Sequence, residues 1–381
     1  MPYESVDALQ RALTRDVFHY AKDAKKAAGR ALGTLVEIIT FYLIKSWGYE
    51  KHTAIERRLP EYANPGITHN VEFSFHPSVE IGSVTVDKTN LPLTPKKILK
   101  LLDSPVWTGK DSKSTQLLSS KEILRNACTL YEDDTRLIIA YLGESTKTSY
   151  RLSVNELTPH PFAVLECKRV GVEEGVKKGP QTIEKAKQGA YVARSVSSLQ
   201  KIRMNDGSVY GVLHLDSGEL RYEPYEDFLR SVIASDDASL LRDFILTVGI
   251  VSNHGNWFTS DNHNKELKVL AQSYDWLLFL SDTGLSEFVE SLLLKPAKQY
   301  QPIRDAFVQS YSGKKNKKGG NRFTKVKIAL AADLALQNYF SSNLSKVESW
   351  FNVISPAGRS VTDLTRELTL LASKNWKEIL A

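Results

Sequence analysis

Residues 162–170 read Phe-Ala-Val-Leu-Glu-Cys-Lys-Arg-Val, an apolar run that carries Glu166 and Lys168 inside it. A run of this length between Pro161 and Gly171 predicts a strand buried on both faces, and a sheet buried on both faces needs helices on each side. An α/β fold with a central mixed sheet is therefore expected. Burying an isolated carboxylate or ammonium costs roughly several kcal/mol unless the group is paired or binds a metal. Because side chains alternate along a strand, Glu166 and Lys168 share one face about 6.6 Å apart along the backbone, and Cys167 takes the other. A carboxylate so placed can hold Mg²⁺ through oxygen, and a neighbouring ammonium can act on the water that the ion polarises. That is equipment for hydrolysing a phosphodiester. The bland reading is a strand end whose Glu and Lys pair at the surface.

The chain has 381 residues, 42% hydrophobic and 25% charged, which excludes disorder as its main state and allows two or three domains. Lys and Arg exceed Asp and Glu by 50 − 44 = 6, so a polyanionic partner is permitted but not required. Two cysteines, Cys128 and Cys167, form at most one bridge, and reduced thiols are expected. The apolar run Leu35 to Ile44 contains Glu37 and falls short of the roughly 20 residues that span a bilayer. With Glu4 and Asp7 preceding any apolar stretch, no secretory order is present, so a cytoplasmic protein without a membrane partner is expected.

Along the chain, residues 5–48 read as helix. Strands are expected at 68–76, where Val71, Phe73 and Phe75 alternate, at 79–86, and at 149–154. The last of these is expected to form a hairpin with 162–170. Residues 89–146 read as an inserted, mainly helical subdomain, with a helix over Ser119–Tyr131. A helix is expected over about 181–199, a hairpin turning at Asn205-Asp206-Gly207, and buried strands at 244–252 and 275–280. Helices are expected over 286–310 and 323–354. The implied segments are 1–88 with N-terminal helices and first strands, 89–146, a catalytic core at 147–285, and a helical region at 286–381 with a basic loop.

The acid-x-Lys strand, followed by a loop and a helix bearing Lys185, Gln188 and Tyr191, resembles the core of the PD-(D/E)xK nuclease superfamily, which includes most type II restriction endonucleases. Gly33-Thr34-Leu35-Val36-Glu37 resembles the Gly-x-x-x-Glu opening of several members. The resemblance covers about residues 31–76 and 145–200. It implies that the acid-x-Lys strand is third in the core and that a following helix lies across the sheet beside the site. It further implies a restriction-endonuclease-like core, Mg²⁺-dependent sequence-specific cleavage of double-stranded DNA, a homodimer matched to a palindromic target, and a companion DNA methyltransferase. Glu166 would hold the metal and Lys168 would orient or deprotonate the attacking water.

The family's first acid, usually Asp before the second strand, has no obvious counterpart in Lys147-Thr148-Ser149. Glu72, between Val71 and Phe73, is the first choice for the second metal ligand, with Glu144 and Asp134 as alternatives. Glu37 joins the catalytic set as a carboxylate acting through a water on the ion, or else is a buried carboxylate paired with an arginine. For DNA, Lys314, Lys315, Lys317, Lys318 and Arg322 form a basic track for phosphates, or a solvated loop. Asn253, His254 and Asn256 crowd a loop whose amides can read adenine edges. The histidines there lack the spacing of a zinc site. A nonspecific or repair nuclease of the same fold, and a DNA-binding protein without catalysis, are the alternative readings.

Overall fold

The computed structural model describes residues 5–19, 23–59, 70–102, 115–170, 190, 192–215, 217–253, 265–311 and 322–381. The chain separates into two units whose segments interleave. One comprises Met1–Ile55, Ser78–Pro159 and Thr283–Val347, the other Glu56–Pro77, His160–Asp282 and Glu348–Ala381.

The first unit is built on the helix Ala24–Ser46, capped by the Asp23 carboxylate, which accepts from the Lys26 N–H. By length and composition this helix is apolar enough to cross a membrane, yet 67% of its most apolar window is buried within the protein. It is preceded by a separate helix, Val6–Asp16, so the single helix expected over 5–48 is in fact two. Lys45 is buried between Glu50 at 2.8 Å and Asp333 at 3.6 Å. Tyr42 donates to the same aspartate at 2.6 Å. Beside the helices stands a four-stranded antiparallel sheet ordered Ser78–Asp87, Ser149–Leu157, Leu137–Ser145, Cys128–Glu132.

That sheet corrects two expectations. Strand 149–157 pairs with Ser78–Asp87 and Leu137–Ser145, not with the acid-x-Lys strand. The intervening Thr158-Pro159-His160-Pro161 lacks the glycine or asparagine of a tight hairpin turn, and its two prolines carry the chain away instead. Residues 119–131 are not helical: Ile123–Arg125 and Cys128–Glu132 are strands. Glu122 and Ala127 adopt φ of 53° and 45°, which no α-helix accommodates. The segment 89–146 is thus largely sheet, with one α-helix among its described residues at Pro95–Leu101.

The second unit holds a six-stranded mixed sheet whose spatial order follows the chain: β1 (Thr53–Arg57), β2 (Val71–Phe75), β3 (Ala163–Val170), β4 (Leu246–Asn253), β5 (Trp276–Leu280) and β6 (Phe351–Ser355). β1 begins in the first unit and ends in the second with Glu56 and Arg57. β2 runs antiparallel to β3, β3 to β5 are parallel, and β6 is antiparallel to β5. Every residue of β4 and β5 is buried, as expected of parallel strands covered on both faces. Helical residues 190 and 192–196 cover one face, where Ala190 and Ala193 meet Val170 and Val251, and Val192 and Val196 meet Val71 and Val164. Opposite them, Trp276 donates to Glu367 at 2.7 Å and Trp376 stacks on Phe162 at 6.1 Å. The expected α/β class with a central mixed sheet is present. Strands β1 and β6 were not anticipated, the latter lying in a stretch expected to be helical.

Burial holds the hydroxyls of Tyr42, Tyr141, Tyr225 and Tyr274 well above their ordinary range. A group whose pKa is raised on folding stabilises the fold fully below its unfolded value, here about 10, and that stability is lost as pH rises beyond it. Thermal stability is therefore expected to fall above about pH 10, with phenolate absorbance from these residues appearing only as the protein unfolds. Their ionisation in a still folded protein would contradict this.

Candidate active site

β3 is an antiparallel partner of β2 through Phe73↔Leu165, Ser74↔Val164 and Phe75↔Ala163. Continued by one residue, that register sets Glu72 opposite Glu166. The contact is direct: the Glu72 backbone N–H donates to Glu166 Oε1 at 3.3 Å. On the same face, Lys168 Nζ lies 3.9 Å from Glu166 Oε2, with the carboxylate 1% exposed and the lysine 24% exposed. The acid-x-Lys pair is thus neither a solvated strand end nor a fully closed ion pair: the carboxylate is sealed in while the ammonium reaches solvent. Glu72 is half-buried and one of its carboxylate oxygens is buried. Cys167 faces the other way as a buried free thiol.

A second layer shapes this face. Gly249 is the register partner of Glu166 in β4, so a side chain there would stand beside the carboxylate. A Cβ at Gly249 would come within 2.7 Å of the Tyr274 ring. The glycine makes room for that ring. Burial chiefly, and then the negative charge of Glu166, keep the Tyr274 hydroxyl protonated. The turn carrying Tyr274 is fastened by Lys201, whose ammonium donates to the carbonyls of Ala271 at 3.0 Å and Tyr274 at 2.8 Å. Burial lowers the Lys201 pKa to about 8, against the opposing pull of Asp275. Asp275 in turn accepts from the Thr247 N–H at 2.7 Å and hydroxyl at 2.8 Å, and from Tyr225. Neither Gly249 nor Tyr274 was singled out in the sequence. The available signal was a glycine inside the otherwise unbroken strand 246–253, which marks a close approach.

Gly249→Ala is expected to destabilise the protein by about 1–3 kcal/mol, the range for overpacking a filled core. Thermal melting checks this, and an unchanged melting temperature would mean that the Tyr274 ring yields freely.

The other expected site residues fall elsewhere. Glu37 lies in the first unit, where its carboxylate pairs with buried Lys325 at 3.1 Å. Of the two readings of Glu37 the structure shows the ion pair, with a lysine in place of the arginine and the carboxylate itself half-buried. Glu144 and Asp134 are exposed residues of the first unit. Asn253, expected to read DNA, is buried at the end of β4 and donates its side-chain amide to Asp282 at 2.9 Å, while its backbone carbonyl accepts from Arg169 at 3.2 Å. That amide holds the sheet's end in place and is not free for a base edge. Arg322 donates to Gln309 at 2.8 Å, an exposed contact. Lys314, Lys315, Lys317, Lys318, His254, Asn256, Lys185, Gln188 and Tyr191 lie outside the described residues.

Among the described residues no group of three or more His, Cys, Asp or Glu side chains gathers as a metal cluster. Glu166 brings a buried carboxylate to this face, and the Glu72 backbone N–H donates to it. No protein-family model, curated protein or solved structure matches the chain.

Proposed function

We propose that the chain is a Mg²⁺-dependent endonuclease that hydrolyses double-stranded DNA at a specific sequence, in the manner of the type II restriction endonucleases its motif resembles. The observation that carries the reading is the buried Glu166 carboxylate with Lys168 beside it on one strand face and the Glu72 backbone N–H donating to it. Their placement adds support. The acid-x-Lys strand is third in the sheet, the additional acid is on the second strand, and helical residues 190 and 192–196 cover the face of Glu166.

The all-oxygen donor set fits Mg²⁺, which takes one or two protein carboxylates alongside waters and substrate phosphate. Glu166 and Glu72 would hold the ion. When bound, it supplies Lewis acidity at the scissile phosphate. Lys168 would orient the attacking water for in-line attack on phosphorus by donating to it as an ammonium, the water's proton passing to solvent, or would take that proton itself as the neutral amine. Tyr274 and the residues behind it exclude water from the inner flank of Glu166, which strengthens each charge interaction there.

Incubation with Mg²⁺ and DNA of known sequence is expected to yield a fixed set of fragments. A smear would make the protein a nonspecific nuclease of the same chemistry. Intact DNA with every divalent cation tried would sink the reading and leave a DNA-binding protein without catalysis as its replacement.

A further inference from the structure

A three-stranded antiparallel sheet in the second unit is ordered Leu220–Pro224, Val209–His214, Leu199–Arg203. Its inner face packs on the helix Tyr225–Ala234: a Cβ at Gly211 would meet Leu199, Phe228 and Tyr225 at 3.0–3.4 Å. The outer face is unusually apolar for a surface. Among the described residues, Ile202, Leu220 and Tyr222 are exposed large hydrophobics on this sheet, Tyr222 at 63%, and Met204 is another in the turn that follows Arg203. Scattered apolar residues need no explanation, whereas a cluster beside a free strand edge is a template for association.

The edge is Leu220–Pro224. The Leu215 N–H donates to the Glu219 carbonyl, and Gly211 and Leu213 stand opposite Glu223 and Arg221. Hydrogen-bonded pairs alternate in an antiparallel ladder, so the backbone groups of Arg221 and Glu223 face the neighbouring strand and those of Leu220 and Tyr222 face outward. We propose that the chain self-associates along this edge, a second copy laying its own Leu220–Pro224 antiparallel across a two-fold axis at Tyr222. In that register Tyr222 meets Tyr222, and Arg221 of each copy stands opposite Glu223 of the other. The sequence of the strand is therefore self-complementary, as a two-fold interface requires. Within one copy Arg221 already donates to Glu223 at 2.7 Å and 2.9 Å, so two such pairs would meet about the axis. Pro224 lacks only an N–H, and its carbonyl still accepts from the partner's Leu220. The opposite edge, Leu199–Arg203, does not share this property: it carries Lys201 and Arg203 and no acid.

This surface does not depend on the nuclease reading, and its test needs no cleavage. In sedimentation velocity at micromolar concentration the full chain is expected to run as a dimer, with the Tyr222 amide gaining protection from hydrogen exchange as concentration rises. Tyr222→Lys, at an exposed position where folding is not at stake, is expected to raise the dissociation constant by at least about tenfold. Arg221→Glu alone should do the same by facing glutamate with glutamate. The double exchange Arg221→Glu with Glu223→Arg should restore the dimer, thermal melting confirming the fold of each. A monomer at all concentrations, a dimer indifferent to Tyr222→Lys, or a failure of the double exchange to restore association would each overturn the proposal.

Discussion

Glu72→Gln is expected to lower DNA cleavage by at least about a hundredfold, the order seen when one positioned electrostatic group is removed from a reacting site. The expectation rests on placement. Glu72 sits on the strand next to Glu166, its N–H bonded to that carboxylate, half-buried where a charge needs a reason. A single carboxylate holds Mg²⁺ weakly, and the ion normally takes one or two together with substrate phosphate. Glu144 and Asp134 are exposed, so water satisfies them at little cost. Their amide variants are expected to stay within about tenfold of the parent, less than the loss of a positioned group. The reverse ranking, with folding verified by thermal melting, would move the ligand role to the more sensitive acid.

Lys168→Ala is expected to reduce cleavage by about a hundred- to ten-thousandfold, the span of general acid–base contributions. DNA affinity should change little, because binding energy is spread over many phosphate contacts while the lysine acts on one water. A companion variant separates this from a folding defect. Lys168→Ala leaves the buried Glu166 carboxylate without its partner at 3.9 Å and lowers the melting temperature, so Lys168→Arg, which keeps the charge, is that companion: it is expected to keep the fold and still lose cleavage. A variant that cuts normally would remove the lysine from the mechanism, and one that fails to bind DNA would make it an affinity residue.

Much of the site was legible because strand alternation is a local signal. The run from Phe162 to Val170 could hardly be other than a buried strand, and two charges in it had to share a face. The strand position of Glu72 between two apolar neighbours was readable for the same reason. Partners distant in sequence were not. Glu37 finds Lys325 and Asn253 finds Asp282, and no local pattern announces either pairing. Sheet membership misled likewise: Ser149–Leu157 adjoins β3 in the chain, yet its alternating Tyr150, Leu152 and Val154 complete the other sheet. The strands Cys128–Glu132 and Phe351–Ser355 were taken for helix because apolar runs this short fit both periods. Positive φ at Glu122 and Ala127, residues with no glycine-like signature, removed the last cue that the first of these regions was not helical.

A phosphodiester-cleaving site of Glu166, Glu72 and Lys168 that works with a divalent cation is expected to convert supercoiled plasmid to linear DNA, which is measured for the parent protein and Glu166→Gln, each in Mg²⁺ and in chelator. Cleavage by the parent in Mg²⁺ alone, with none by Glu166→Gln under either condition, is the predicted result. Equal cleavage by Glu166→Gln, or cleavage by the parent that persists in chelator, would contradict it.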